Sequence, residues 1–514
     1  MAHWADALAQ EIIAAKGDKA SYTLASGITP SGTIHFGKFR EIIMTDLVAR
    51  ALIKLGKKVR FIYSWDDYDT FRKVPSDMPM RDMLESRLYE PIVDIPDPFG
   101  VSSSYAGHNE EALEAIAPSL GIDYVEYVYQ AKKYRSRAYN ESIIVAMDSR
   151  DKIAGIMAGF KSGELAPGWQ PLEAYCEECN RDRMAFGRYD SAAKKIGYEC
   201  KLCGHKGELD LRESRRLKLP WRIDWPMRWA YEDVDFEPGG RDHSSATGSR
   251  DTGEVICREI YGREPPVYSV YEQIRVKGQT KKMSSSSGNV LSLESVLAVY
   301  EPEIVRWFFA SYKPTAPFDM AFDLDVLKNY EEFDQAERKA YEGDEYFRRV
   351  YELSQLGVDG SIPPEMPFQP SFRHLCNIIQ VNGFDMEKTR GYYAGGIRNS
   401  RDERRFAERS ARAKYWLENH APADFRFMLN ASRRVDVKPL PAVERLRGDL
   451  AGDWDALSDE KALQERLSAI VADSGMSAKE VYRNIYQLLI SRDSGPKLAG
   501  FIGSIGREKI LDLL

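Results

Sequence analysis

Cysteine is scarce in this chain: six occur in 514 residues, too few for a disulfide scaffold to hold the fold. Long apolar runs are missing too. None approaches the ~18 residues of a membrane-spanning helix, so no membrane partner is expected. Positive charge is not in excess. Against 72 Lys and Arg stand 79 Asp and Glu, a net charge of −7. That excludes a uniformly basic coat for nucleic acid but leaves room for a local basic face. Internal repeats and low-complexity tracts are absent. With 43% hydrophobic and 29% charged residues, composition also excludes collagen, coiled coil and wholesale disorder. The first twenty residues lack the basic and then apolar layout of a signal peptide. They pattern instead as an amphipathic helix, and a cytoplasmic location is expected.

What is present is enough chain for three or four domains at ~150 residues each. Residues 21–28 are short, apolar and partly β-branched. A turn follows at Thr29-Pro30-Ser31-Gly32, and 36–55 then has helical periodicity, with Ile42, Ile43, Leu47, Ala51 and Leu55 able to share one face. Residues 58–64 make a buried strand. Strand, turn, helix and strand form the unit of a parallel doubly wound sheet, which predicts an α/β nucleotide-binding domain. Residues 165–215 have little periodicity and suggest a small metal-stapled insertion. Strands are expected again over 221–225 and 267–271. From about 290 onward the pattern is mainly helical, with examples at 327–350, 407–418 and 478–490 and a turn-rich linker at 356–370.

Several groups of residues carry chemistry. The turn 29–38 sits where the first strand meets the first helix, the usual place for a phosphate in an α/β fold. Gly37 permits close approach of a base or ribose, and His35 and Lys38 can donate to phosphate oxygens. Taken alone, it also fits the first turn of a core helix. A second group, Lys281-Lys282-Met283-Ser284-Ser285-Ser286-Ser287-Gly288-Asn289, offers a mobile cation with hydroxyl and backbone donors. A Ser-rich linker is its plain alternative. Asp66, Asp67 and Asp69 follow the second strand on the ligand side of a parallel sheet, where they suit Mg²⁺ or an ammonium group, unless they form an acidic surface loop. The spacing Cys176-x2-Cys179-x20-Cys200-x2-Cys203 matches a two-knuckle zinc ribbon, a structural site closed by four thiolates. Residues 371–440 carry fourteen Lys and Arg against eight Asp and Glu. There Arg405, Arg409 and Arg412 share one helical face. That face suits either salt bridges or RNA phosphates.

Together the two loops, about 245 residues apart, resemble the paired histidine-glycine and lysine-methionine-serine motifs of class I aminoacyl-tRNA synthetases. The first ends in Lys38 where the family has His or Asn, and the second has Ser285 where the family has Lys. Residues 64–75, 221–229 and 240–243 are similar to those of the class I lysyl-tRNA synthetases, the archaeal-type group. The resemblance implies attachment of L-lysine to tRNA(Lys) through a lysyl-adenylate made from ATP with Mg²⁺, releasing AMP and pyrophosphate. His35, Lys38 and Lys282 are the implied catalytic residues. ATP is expected at Pro30, Ser31, Gly32, His35, Gly37, Lys38, Gly240, Asp242, His243, Lys282, Met283, Ser284, Ser285 and Ser286. Lysine is expected at Gly27, Thr29, Asp67, Trp225, His243 and Tyr271, with Asp67 as the carboxylate for the ε-ammonium. The tRNA is expected at Arg405, Arg409 and Arg412. A glutamate-charging relative of the same subclass would instead present arginine to the side chain.

The implied division is a Rossmann-like catalytic domain split over 1–165 and 215–280. It is interrupted by a zinc-binding insertion at 166–214. A helical stem-contact domain over 281–355 follows, then an α-helical anticodon-binding domain over 356–514.

Overall fold

A computed structural model of the chain describes residues 2–76, 78–160, 165–244, 248–278 and 291–514. Strand β1 (Ser21–Ile28) leads through the 29–35 turn into the helix Phe36–Lys54, and β2 (Lys58–Trp65) returns parallel to β1 over its full length, Ser21 opposite Lys58 and Ile28 opposite Trp65. The helix is buried nearly all round, with Phe36, Phe39, Ile42, Ile43, Leu47 and Leu52 closed off from solvent. It ends because Gly56 adopts a left-handed φ of 77°, which glycine takes without steric cost. β3 (Glu126–Tyr129) extends the sheet beyond β2. The first three predicted elements therefore form as expected.

Next come β4 (Glu173–Ala174), β5 (Met184–Asp190), β6 (Lys195–Cys200), β7 (Lys206–Asp210) and β8 (Leu217–Lys218). The pair β4–β8 is antiparallel and brackets a three-stranded antiparallel sheet, β5–β6–β7. The chain then rejoins the parallel sheet with β9 (Phe236–Gly240) and β10 (Val267–Tyr271), giving the order β10–β9–β1–β2–β3. β11 (Ile274–Val276) pairs with β12 (Phe318–Met320).

Residues 221–225, expected as a strand, instead open a helix, Trp221–Tyr231. Trp221, Trp225 and Trp229 recur every four residues, the period of a helix and not of a strand. They stack along one face, with ring centroids 5.1 and 4.7 Å apart in successive pairs. The predicted helix over 327–350 is broken in two, Asp325–Tyr341 and Glu345–Ser354. Gly343 (φ 97°) interrupts it, and the Asp344 carboxylate caps the second helix by accepting the N–H groups of Tyr346 and Phe347.

Contacts divide the chain into two compact units. The first holds residues 1–297, 302–320 and 342–362, and the second holds 298–301, 321–341 and 363–514. Residues 291–362 are thus shared between units instead of forming one body. The first unit is tied together by the fully buried Asp46. Its carboxylate accepts from Arg50 (2.9 Å), Arg306 (2.6 Å) and the Tyr124 hydroxyl (2.8 Å), while Arg306 also donates to the carbonyls of Leu120 and Leu353. The second unit is helical. Its apolar core includes Val443, Leu446, Leu463, Ile485, Leu488 and Ile502. Among the described residues no helix is long and apolar enough to cross a membrane.

Removing one member of a buried charge network strands the others. Asp46→Ala leaves two guanidinium groups without a carboxylate, and urea unfolding should show the first unit destabilised by about 3–5 kcal/mol. Unchanged stability would show that the knot contributes nothing.

Candidate functional site

The parallel register brings the carboxyl ends of β1, β2, β9 and β10 to one cavity of about 790 Å³. This is where ligands bind in open α/β sheets. His35 is the N-cap of the helix Phe36–Lys54, and Gly37 and Lys38 in the first turn of that helix line the cavity. Burial brings the Lys38 ammonium down to about 8, with Glu41 opposing the shift. A phosphate there would favour the charged form further.

Glu41, one turn further along, lines the same cavity. Its Oε1 accepts the Gly27 N–H at 3.2 Å and its Oε2 accepts the Tyr271 hydroxyl at 2.6 Å. Burial pushes its carboxyl up to about 8, more than those two hydrogen bonds can offset. Two further carboxylates line the wall. Asp66 accepts from Arg228 at 2.5 Å, and Arg228 donates its other arm to Asp224 at 2.9 Å. Glu237 accepts from the Trp229 indole at 2.6 Å. Beside them lies an aromatic wall: Trp221 stacked on Trp225, with the His243 ring 5.5 Å from Trp225 and the Arg228 guanidinium 5.2 Å from the Trp221 ring. Trp225 also packs beneath the sheet with Ala25, Ile62 and Trp229, so it belongs to both core and site.

Of the residues expected from sequence, Gly27, Thr29, Ser31, His35, Gly37, Lys38, Trp225, Gly240, His243 and Tyr271 line this one cavity. The backbone of Asp242 lies between Gly240 and His243 in the turn that follows β9. Pro30 and Gly32 do not line it. The Pro30 carbonyl accepts from Asn109 and that of Ser31 from Tyr105, bonds that brace the turn from behind. Asp67 is a correction. It points away from the cavity, 2% exposed, and accepts the Ala131 N–H at 2.7 Å. Neighbouring residues at a strand end face opposite sides, and Asp66 took the cavity side.

Lys282, Met283, Ser284, Ser285 and Ser286 lie outside the described residues. The described residues flanking them reach the cavity: Gln273 and Ile274 line it, the Phe36 N–H donates to the Leu291 carbonyl at 2.8 Å, and Ser292 bridges His35.

Sequence reasoning missed Glu41, Trp221, Arg228 and Glu237 as wall residues. The four-residue tryptophan spacing could have found Trp221. Glu41 carried the signal of sitting three residues after Lys38, on the same helical face.

The four thiolates of Cys176, Cys179, Cys200 and Cys203 lie within 4.8 Å of one another. The pairs Cys176–Cys203 and Cys179–Cys200 are 3.7 and 3.6 Å apart. Tetrahedral ligands at a Zn–S length of about 2.3 Å sit roughly 3.8 Å apart, so the donor set fits that ion.

The arginine face is also corrected. Arg409 is fully buried and pairs with Glu301 (2.6 Å) and Asp334 (2.9 Å). Arg405 pairs with Glu301 and Glu337, and Arg412 donates to the carbonyls of Tyr300 and Glu408. Buried carboxylates claim Arg405 and Arg409 and backbone carbonyls claim Arg412, so the three brace the second unit from within.

The profile of a family described as tRNA synthetases class I (K) matches residues 2–357. The chain is 41% identical to a lysine–tRNA ligase of Treponema pallidum, over 100% of this chain and 98% of that one. It is 40% identical to one of Borreliella burgdorferi (99% and 98% covered) and 36% identical to one of Thermococcus kodakarensis (100% and 99%).

A Cβ built on Gly27 would lie 2.6 Å from the Ser64 carbonyl oxygen, whereas one on Gly240 would meet only the Tyr271 ring at ordinary contact, 3.6 Å. Gly27→Ala should therefore force β1 and β2 apart and cost about 1–3 kcal/mol in thermal or denaturant unfolding, with Gly240→Ala near neutral. Equal stability of the two variants would contradict this strand-end geometry.

Proposed function

The chain belongs to the class I tRNA synthetases of the lysine group, and from that premise we propose how its cavity attaches L-lysine to tRNA. The enzyme is a lysine–tRNA ligase that works through a lysyl-adenylate. The lysine carboxylate attacks the α-phosphorus of ATP, the bond to the β-phosphate oxygen breaks and pyrophosphate leaves. The lysyl group then passes to the tRNA 3′ end and AMP departs. Such a displacement depends on alignment and charge more than on covalent help from the protein.

In this reading the first turn of the helix Phe36–Lys54 receives the phosphates, with His35 and Lys38 stabilising charge and Gly37 and Ser31 leaving room for adenosine. Gly240, Asp242 and His243 take the ribose side. The motif 282–286 supplies the second cation, Lys282, to the leaving pyrophosphate. Mg²⁺ would arrive with the triphosphate, which normally provides most of its ligands.

The observation that carries the lysine assignment is the state of the wall carboxylates. Asp66 already has Arg228, whereas Glu41 and Glu237 have only neutral described partners, and of these two it is Glu41 that bonds Gly27 and Tyr271, both expected at the amino-acid pocket. Glu41 therefore replaces Asp67 as the partner of the ε-ammonium, with Trp221 and Trp225 flanking the methylene stem. A glutamate side chain is disfavoured, since both arginines lining the cavity are committed, Arg228 to Asp66 and Asp224 and Arg241 to Glu272. Zn²⁺ held by the four cysteines would supply a structural crosslink to the 173–218 module, with no open coordination position. On the helix Ser400–Asn419 the exposed cations Arg401 and Arg404 take over the tRNA-phosphate role first given to Arg405, Arg409 and Arg412.

Two outcomes test this reading. Empty, Glu41 titrates near 8, so below that pH lysine must displace its proton. Calorimetry in buffers of different ionisation enthalpy should detect proton release at pH 7, with lysine affinity rising from pH 6 to about 8 and levelling above. Glu41→Gln should abolish the release and weaken lysine by about tenfold or more, while ATP binding holds. Affinity independent of pH would refute the assignment. For the metal, a thiol-reactive reagent should free one Zn²⁺ per chain. The metal-free protein should become open to proteolysis within residues 173–218. Absence of zinc from purified protein of intact fold would count against the site.

A further inference from the structure

Thr29 follows β1 on the cavity wall, and its hydroxyl donates to Asp69 Oδ2 at 2.7 Å. The other carboxylate oxygen of Asp69 lies 2.9 Å from Lys218 Nζ. Lys218 is buried and stands on β8, the strand that closes the cysteine module. Its second carboxylate, Glu173 on the paired strand β4, is further off at 3.9 Å. The three groups form a chain with a direction. An ammonium only donates and an ionised carboxylate only accepts, so the proton between Thr29 and Asp69 must be the threonine's own. With that proton committed, Thr29 Oγ1 has only lone pairs left to offer the cavity.

The direction depends on Asp69 staying ionised. Burial works against this, and Asp66 is close by, but Lys218 more than compensates and holds the Asp69 carboxyl below its ordinary range. A neutral Asp69 could donate to Thr29 and release the threonine proton toward the substrate. The hydroxyl would then repel an ammonium group that it now attracts.

We propose that Lys218 is a positioning residue for amino-acid recognition: through Asp69 it makes the Thr29 hydroxyl an obligate acceptor facing the cavity, matched to an ammonium nitrogen of the substrate. This rests on the cavity being the amino-acid site. It gives the cysteine module a role in specificity, because the module's closing strand sets the polarity of a hydroxyl on the opposite side of the link.

The test reverses the polarity without removing the contact. In Asp69→Asn the amide oxygen still accepts from Lys218, while the amide nitrogen donates to Thr29 and turns its proton into the cavity. Steady-state charging by Asp69→Asn, Thr29→Val and their double variant should show the lysine KM raised about tenfold or more in each single variant, with kcat and the ATP KM little changed. The double variant should be no worse than Thr29→Val alone, since both changes act on one hydroxyl. Lys218→Met should behave like Asp69→Asn, and it serves as the second arm if the asparagine variant folds poorly by circular dichroism. A normal lysine KM in Asp69→Asn, or effects that simply add in the double variant, would overturn the proposal and leave the cavity assignment standing. A normal lysine KM in Thr29→Val would instead remove this wall from the amino-acid site altogether.

Discussion

The contact between Glu41, Gly27 and Tyr271 is the constraint on which the site depends. It joins three elements that are distant in sequence: the helix after the first strand, the end of that strand, and the end of β10 at the sheet edge. It forms only because β1 lies close enough to β2 for Gly27 to sit against Ser64, a separation that no larger residue tolerates. It leaves a carboxylate in a poorly solvated wall with neutral donors around it. Such a group gains most from a ligand that brings its own positive charge, which is what a lysine side chain offers.

Several other buried carboxylates are neutralised by cations of the protein itself. Asp46 is matched by Arg50 and Arg306, Asp66 by Arg228, Asp69 by Lys218, and Glu301 by Arg405 and Arg409. These pairings hold segments far apart in the chain, and each is expensive to break from one side only. Glu41 differs in having neutral described partners: the pairs build a rigid frame, and this carboxylate of the cavity wall is the one we propose the substrate completes. The cysteine module belongs to the frame as well, since Lys218 and the residues around β2 interlock. Tyr175 donates to the Tyr68 carbonyl and Thr70 to Asp182.

Local signals were legible where one short segment decides the outcome. The strand–turn–helix around His35, the helix over 478–490 and the cysteine spacing all depend on neighbours in sequence, and all three appear as expected. Signals failed where the deciding partner was remote. Trp221 to Trp225 looked like a strand because aromatic residues favour strands, yet the recurrence that matters runs on to Trp229. Asp66 and Asp67 are equivalent in composition, and only the register of β2 against its neighbours chooses which one faces the cavity. Arg405, Arg409 and Arg412 do share a helical face, as their spacing required. Whether that face meets solvent or the carboxylates of Glu301, Asp334 and Glu337 could not be read from the helix alone.

Sequence by itself therefore determined the local groundwork: a parallel-sheet domain whose first strand turns into a helix at His35, four cysteine thiols at metal-ligand spacing, motifs of the lysine group and a helical second half. Periodicity, capping and ligand spacing act over a few residues and survive translation into sequence pattern. Tertiary structure alone decided which carboxylates meet a cation and which only neutral donors, which cations are consumed by the core and which way a threonine hydroxyl points. Those outcomes follow from burial and from the order in which buried charges find partners, and both are set by residues hundreds of positions apart brought together by the sheet.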